Sequence, residues 1–241
     1  MRSRKPNATA WMAQLICVFV ATGLLTSPVR ADDFKAQQLV DASLASLNRF
    51  LTEVDYVQAH LQAAKGVLIA PAMYKGAFIL GGSGGRAILM VKDEATGDWI
   101  GPAFYTLGAG SIGVQIGVQK MEVLLMVMTR RGIETLYTSN FKLGGAVSVA
   151  AGPVGVGAEA STPLNLTADM ISFTLAKGAF LGFSLEGTVV SVAEHYNDAY
   201  YNGRNLRPAD IFVKRALTAP AGAEDLRRRL RQIGDAADRP D

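Results

Sequence analysis

Along most of this chain the apolar residues come in short blocks separated by glycine. Gly66-Val-Leu-Ile-Ala70, Ala77-Phe-Ile-Leu80, Ala87-Ile-Leu-Met-Val91, Val123-Leu-Leu-Met-Val127, Gly145-Ala-Val-Ser-Val149 and Gly187-Thr-Val-Val190 are examples. Blocks this short predict strands, because a helix needs a longer periodic pattern. In Gly110-Ser-Ile-Gly-Val-Gln-Ile-Gly-Val-Gln119 and Gly152-Pro-Val-Gly-Val-Gly-Ala-Glu159 the glycines fall inside strands, where they mark bulges, bends or close backbone approach. The stretch Gly66–Gly187 holds 21 of the 25 glycines. The pattern predicts an α+β domain built on one strongly curved, glycine-rich antiparallel sheet, barrel- or sandwich-like, with an N-terminal amphipathic helix and C-terminal helices.

Residues 33–64 break that pattern. They contain no glycine or proline, and Val40, Leu44, Leu47, Leu51, Val54 and Leu61 recur at helical spacing. This predicts one amphipathic helix, or two broken near Asn48–Glu53, with the apolar face packed on the sheet. Further along, Thr96-Gly-Asp98 suits a hairpin loop, and Trp99, Pro102, Phe104 and Tyr105 form a core edge or a contact surface. Thr129–Tyr137 predicts a short connecting helix, Asn197–Gly203 a polar, aromatic loop, and Pro208–Leu217 a helix. Ala223–Ile233 predicts a basic helix with Arg227, Arg228, Arg229 and Arg231 on a solvated face or tail.

The first 31 residues read as a secretory signal. Arg2, Arg4 and Lys5 precede an uncharged apolar run from Ala10 to Leu25, and Val29-Arg-Ala31 offers a cleavage site before Asp32. The alternative is an uncleaved membrane anchor, for which the run is short. The expected location is therefore periplasmic, envelope-associated or secreted. The only cysteine, Cys17, lies in this run, so the remainder has no disulfide and no cysteine metal site. The formal charge of +3 also changes: without Arg2, Arg4, Lys5 and Arg30, 20 bases face 21 acids, a net charge of −1. That balance removes the electrostatic case for nucleic-acid binding.

Catalytic motifs fail on context. Gly81-Gly-Ser-Gly-Gly85 spells a nucleophile elbow around Ser83, but that elbow needs a helix after it, and Ala87–Val91 predicts another strand. The two histidines, His60 and His195, lie far from Ser83 in sequence. No P-loop signature occurs, and Gly155-x-Gly157-x-x-Ala160 is followed by Ser161-Thr-Pro163 rather than a helix. These glycines read instead as strand ends and hairpin turns.

Several ordered blocks carry a resemblance. Lys65-Gly-Val-Leu-Ile-Ala-Pro71, Gly97-Asp-Trp-Ile-Gly-Pro-Ala-Phe104, Met128-Thr-Arg-Arg-Gly132, Lys177-Gly-Ala-Phe-Leu-Gly-Phe-Ser-Leu-Glu-Gly187 and Asn197-Asp-Ala-Tyr-Tyr201 together resemble the SYLF domain family over about residues 35–217. The resemblance implies a lipid-binding module without catalytic activity or cofactor; eukaryotic members bind phosphoinositides and some fungal members bind actin. The organisation it suggests is a signal at 1–31, a SYLF-like domain at 32–218, and a basic helix and tail at 219–241. An anionic lipid or membrane surface is then the expected partner, held by Lys35 and Arg49 on the helix, Lys65 and Lys75 near the first strands, and Lys177 in the late glycine turn. The rival expectation is a structural or protein-interaction module of the cell envelope.

Overall fold

The computed structural model describes residues 31–54, 56–77, 80–112, 117–138, 140–152, 168–176, 179–181, 185–214, 217 and 220–235. The expected signal therefore lies outside the described residues, apart from its last position, Ala31. The chain opens with helix α1 (Ala31–Glu53) and α2 (Val57–Ala63). The break comes just after the expected segment, at Val54–Tyr56, where both Val54 and Val57 are turned into the core. Four long strands follow: β1 (Gly66–Ala77), β2 (Leu80–Lys92), β3 (Trp99–Ile112) and β4 (Gly117–Val127). Then come α3 (Arg130–Leu136), β5 (Asn140–Lys142), β6 (Val149–Ala151), β7 (Met170–Ala176), β8 (Ala179–Leu181), β9 (Val189–Val192), α4 (Glu194–Tyr200), α5 (Pro208–Phe212) and α6 (Glu224–Asp235).

The nine strands among the described residues make one sheet in the order β5-β9-β3-β2-β1-β4-β7-β6, with β8 added to β7. It is a strongly curled half-barrel. A simple length argument shows why it must curl. Eight strands laid flat would put β5 and β6 about 34 Å apart. Only six residues join Lys142 to Val149, and they reach at most about 25 Å. Within that connection Leu143 bridges Val147, and the Gly144 N–H bonds the Val147 carbonyl at 3.0 Å.

The expected sheet differs from the observed one in three ways. Pairing is antiparallel except between β6 and β7, which run parallel. Gly81–Gly85 is not a strand end or turn but lies inside β2, a strand of 13 residues. The register of β1 shifts against both neighbours around Ala70–Met73, at Pro71 rather than at a glycine. Proline has no N–H to give to the ladder, so a central strand can hold it only where the ladder is interrupted. The hairpin loop does use its glycine as expected: Gly97 sits at φ +75, donating to the Asp93 carbonyl at 2.8 Å.

Both faces of the sheet are covered near the starts of β1 and β3 and the ends of β2 and β4, which explains the unbroken apolar blocks. On one face Ile69, Ile88, Phe104, Leu124 and Phe173 pack against Val40, Leu47 and Phe50 of α1, Leu61 of α2, Tyr196 of α4 and Leu226 and Leu230 of α6. On the other, Leu68, Leu89, Tyr105 and Leu125 pack with Leu136 of α3 and Ile211 and Phe212 of α5. Trp99, Phe104 and Tyr105 are thus core residues, not a contact surface.

Two local expectations need correction. Asn197-Asp-Ala-Tyr-Tyr201 is not a loop: its first four residues belong to α4. Tyr196 and Tyr200, one turn apart, bury against Phe104 with ring centroids 5.9 and 5.1 Å away, and this packing outweighs the weak helix propensity of the segment. Helix α5 stops at Phe212, short of Leu217, because the Val213 and Lys214 amides both close onto the Ala209 carbonyl. The arginine-rich helix α6 is docked through buried Leu226, Leu230 and Ile233. Its cations are engaged: Arg227 and Arg231 with Glu224, Arg228 with Asp225, and Arg229 with the Asn48 side chain.

Candidate functional site

The helix-side face of the sheet does not stay covered. Side chains alternate along a strand, so the face that carries Ile69, Ile88, Phe104 and Leu124 continues with Tyr74, Arg86, Thr106 and Lys120. In register, Lys120 of β4 lies opposite Tyr74 of β1, Tyr74 opposite Gly84 of β2, and Gly84 opposite Gly108 of β3. The next row pairs Ala72 with Arg86 and Arg86 with Thr106. One flank of α1 stands over this surface. Lys35, Gln38, Leu39, Ala42, Ala45 and Arg49 line it at steps of three and four, as one helix face must. Between flank and floor runs a groove of about 780 Å³, within the range of small-molecule sites.

Its electrostatics are one-sided. Lys35, Arg49, Arg86 and Lys120 line it, and no acidic residue is among the described residues that do. Two of these cations are already engaged. Arg49 grips Glu122 with both arms, at 2.7 and 3.1 Å, and the Ser46 hydroxyl donates to the same carboxylate at 2.6 Å. Lys35 meets Asp32 at 3.3 Å in an exposed pair one helical turn apart, a contact that contributes little. Arg86 and Lys120 have no acidic partner among the described residues. The Arg86 guanidinium lies 4.8 Å from the centre of the Tyr196 ring, a cation–π contact that positions the charge without neutralising it. Beyond Arg86, on β3, the sheet is bare: a Cβ added at Gly108 or Gly110 would meet nothing within 4 Å. Chemically the groove can hold an anion and exclude a cation.

The predicted site residues do not gather in one place. Lys35 and Arg49 line the groove. Lys75 follows Tyr74 and therefore points to the opposite face. Lys65 lies at the other end of β1, roughly 30 Å away at the usual strand rise, and pairs with Glu94 at 2.7 Å. That pair holds the Glu94 carboxyl below its ordinary pKa. Lys177 lies outside the described residues. Ser83 sits in mid-strand, so no nucleophile elbow forms; the His60 ring lies 2.8 Å from the Tyr56 carbonyl and packs on Phe173. Among the described residues no group of three or more His, Cys, Asp and Glu side chains could hold a metal.

Sequence reasoning missed Arg86, Lys120, Tyr74 and Tyr196. Arg86 is a lone charge in the middle of β2 and Lys120 closes a long uncharged stretch, signals visible in the sequence, but only strand register shows that they share a face. The blocks that carried the family resemblance turn out to hold the fold. The buried Asn197 side-chain oxygen accepts the Phe104 N–H at 2.8 Å, and the Tyr201 hydroxyl donates to the Pro102 carbonyl at 2.8 Å. Asp198 accepts the Asn205 and Leu206 amides at 2.9 and 2.8 Å. In the Met128–Gly132 block, Thr129 accepts the Gly132 N–H and donates to Asp169 at 2.7 Å. Burial pushes the Asp169 carboxyl up, but these bonds and those from Ser148, with Arg131 nearby, hold it below its usual range.

Residues 108–233 match the family model described as Ysc84, Las17-binding protein actin regulator. An SH3 domain-containing protein of Schizosaccharomyces pombe is 32% identical over 177 residues, 70% of this chain and 39% of the relative. The SH3 domain-containing YSC84-like protein 1 of Bos taurus is 29% identical over 172 residues, 70% of this chain and 49% of the relative. The LAS seventeen-binding protein 3 of Saccharomyces cerevisiae is 27% identical over 164 residues, 67% of this chain and 35% of the relative. The chain thus spans half or less of the length of these relatives.

Proposed function

Because this chain belongs to the Ysc84, or SYLF, family, whose described character is that of a binding module, we propose that it is a non-enzymatic, exported protein whose basic groove takes anionic phospholipid headgroups. The observation that carries this reading is the groove itself: four cations line it, and Arg86 and Lys120 have no acidic partner among the described residues. A phosphate there would exchange water for charge-assisted bonds from a guanidinium and an ammonium. Lys35 adds a third, exposed cation, and Arg49 fixes the wall through Glu122. A protein with a net charge of −1 beyond residue 31 needs such a local concentration of charge to meet an anionic surface.

Vesicle flotation of the purified protein tests this, with zwitterionic, phosphatidylglycerol/cardiolipin and phosphoinositide vesicles at low and moderate salt. Binding to the anionic vesicles, weakened by salt and by Arg86→Glu with Lys120→Glu, is expected. Binding indifferent to that double variant, or absent with every vesicle, would sink the reading. A second reading has its own support. The yeast relative is named for binding Las17 and the family model for actin regulation, so the same surface would serve a protein partner of the cell envelope. Capture of an envelope protein that Arg86→Glu abolishes, with no vesicle binding, would favour it.

A further inference from the structure

We infer that the free end of the sheet, rather than helix α1, enters the bilayer, with Tyr74 and Val118 in the interface and Lys120 and Arg86 at the headgroups. The inference rests on the anionic-lipid reading and adds how the protein lies on the membrane.

Helix α1 cannot provide the apolar contact as folded. Its apolar stripe is already used: Val40, Leu47 and Phe50 are at most 1% exposed, inside the helix-side core. Releasing it would open that core and break the Arg49–Glu122–Ser46 cluster. Apart from Phe34 in its first turn, the large apolar side chains that face solvent lie outside α1. Val118 is 81% exposed and Tyr74 53%. Tyr74 lies directly opposite Lys120, and Val118 is two residues along β4 on the same face. Phe34, 61% exposed, sits beside Lys35 where α1 begins.

The charges form a collar at that level. The sequence has no charged residue from Gly76 to Gly85 or from Leu107 to Gln119, and on the groove face these stretches are bounded by Arg86 and Lys120, both basic, with Lys75 bounding the first on the opposite face. The described strand residues beyond Lys120, as far as Gly117, extend roughly 10 Å, the depth to which interfacial elements bury. Glycines keep this end thin. Gly82 pairs with Gly76 on one side and Gly110 on the other, so the floor there has no side chains to desolvate. The backbone also limits the depth. At this end β3 is no longer paired to β9, whose contact stops at Gly108, and β4 is no longer paired to β7, whose contact stops at Glu122. Among the described residues their outer N–H and C=O groups have no strand partner there, and such groups need water, which the interface supplies and the hydrocarbon core does not.

An environment-sensitive NBD label tests the orientation. It is attached to a single cysteine, with Cys17→Ser as background: Val118→Cys at the sheet end, and Val213→Cys, 62% exposed, as the control near Lys65. With phosphatidylglycerol vesicles the label at position 118 should brighten several-fold, shift to the blue and be quenched by doxyl lipids, while that at 213 stays as in buffer. Val118→Asp should lower vesicle binding several-fold with an unchanged melting temperature. Vesicles that bind the protein while the label at 118 does not respond would overturn the inference and leave the groove reading standing. Failure to bind any anionic vesicle would remove both.

Discussion

The helix-side face of β1 to β4 passes through two environments. In the covered half, Ile69, Ile88, Phe104 and Leu124 lie under helices α1, α2, α4 and α6 and are fully buried. A few residues further along the same strands, the same face shows Tyr74, Gly84, Gly108 and Lys120. Backbone geometry and strand pairing are shared across the two halves, so neither explains the difference. What changes is the cover: helices pack over one half, while α1 only lines the side of the other. Stability and binding are therefore separable here. Substitutions in the covered half should act on folding, and those in the open half on recognition.

The largest expected effect breaks the covered half. Phe104→Ala removes a fully buried ring from between Tyr196 and Tyr200 and should cost about 3–5 kcal/mol in denaturant unfolding. Tyr74→Ala, on the same face, should cost less than about 0.5 kcal/mol. Similar losses for both would show that the two halves are not distinct.

Adjacent glycines sharpen the boundary between them. A Cβ at Gly85 would lie 2.5 Å from the Ala72 carbonyl oxygen and 3.0 Å from the Met73 Cα, both backbone atoms at the interruption around Pro71. Gly85→Ala should therefore destabilise by about 1–3 kcal/mol. At Gly84 the nearest contact is 3.5 Å, so Gly84→Ala should leave the melting temperature unchanged. Its methyl would instead stand on the groove floor beside Tyr74, where flotation reads its effect.

Alkali should loosen the covered half alone. Burial raises the Tyr200 hydroxyl from 10 to about 12, with Arg227 lowering and Asp41 raising it. The folded state thus favours the neutral phenol. Its contribution is complete below the unfolded value near pH 10 and is lost as pH climbs from there toward 12. Unfolding followed from pH 9 to 12 should show this loss, and Tyr200→Phe should flatten it. An unchanged slope in Tyr200→Phe would assign the effect to another group.

The covered half was readable from the sequence because its signals are local. Val40, Leu47 and Leu61 recur at helical spacing, and Gly97 announces its turn. The open half depends on pairing between strands distant in sequence. Tyr74 meets Lys120, and Arg49 meets Glu122, only after four strands have found their register, and nothing in a single segment predicts that juxtaposition. Asn197–Tyr201 was misread for a related reason. Its polar composition reads as a loop, yet Tyr200 is buried against a strand almost one hundred residues earlier. Recognition of the family succeeded because Asn197, Asp198 and Tyr201 are held by structural hydrogen bonds, and for that same reason those blocks did not point to the groove.

Arg49 joins the two halves, and its variant gives the smallest effect that still discriminates between them. Its pair with Glu122 is partly exposed, with 45% of the arginine side chain open to solvent, so Arg49→Ala should cost only about 0.5–1 kcal/mol. Glu122 would keep its bond from Ser46 but lose its cation, leaving one uncompensated acidic group beside the groove. Vesicle binding should then fall, even though Arg49 itself need not touch lipid. Arg49→Ala combined with Glu122→Gln removes that uncovered charge and should restore binding toward the wild-type level. If the double variant binds as poorly as Arg49→Ala alone, the guanidinium contacts the headgroup directly, and the boundary between wall and site moves one turn further along α1.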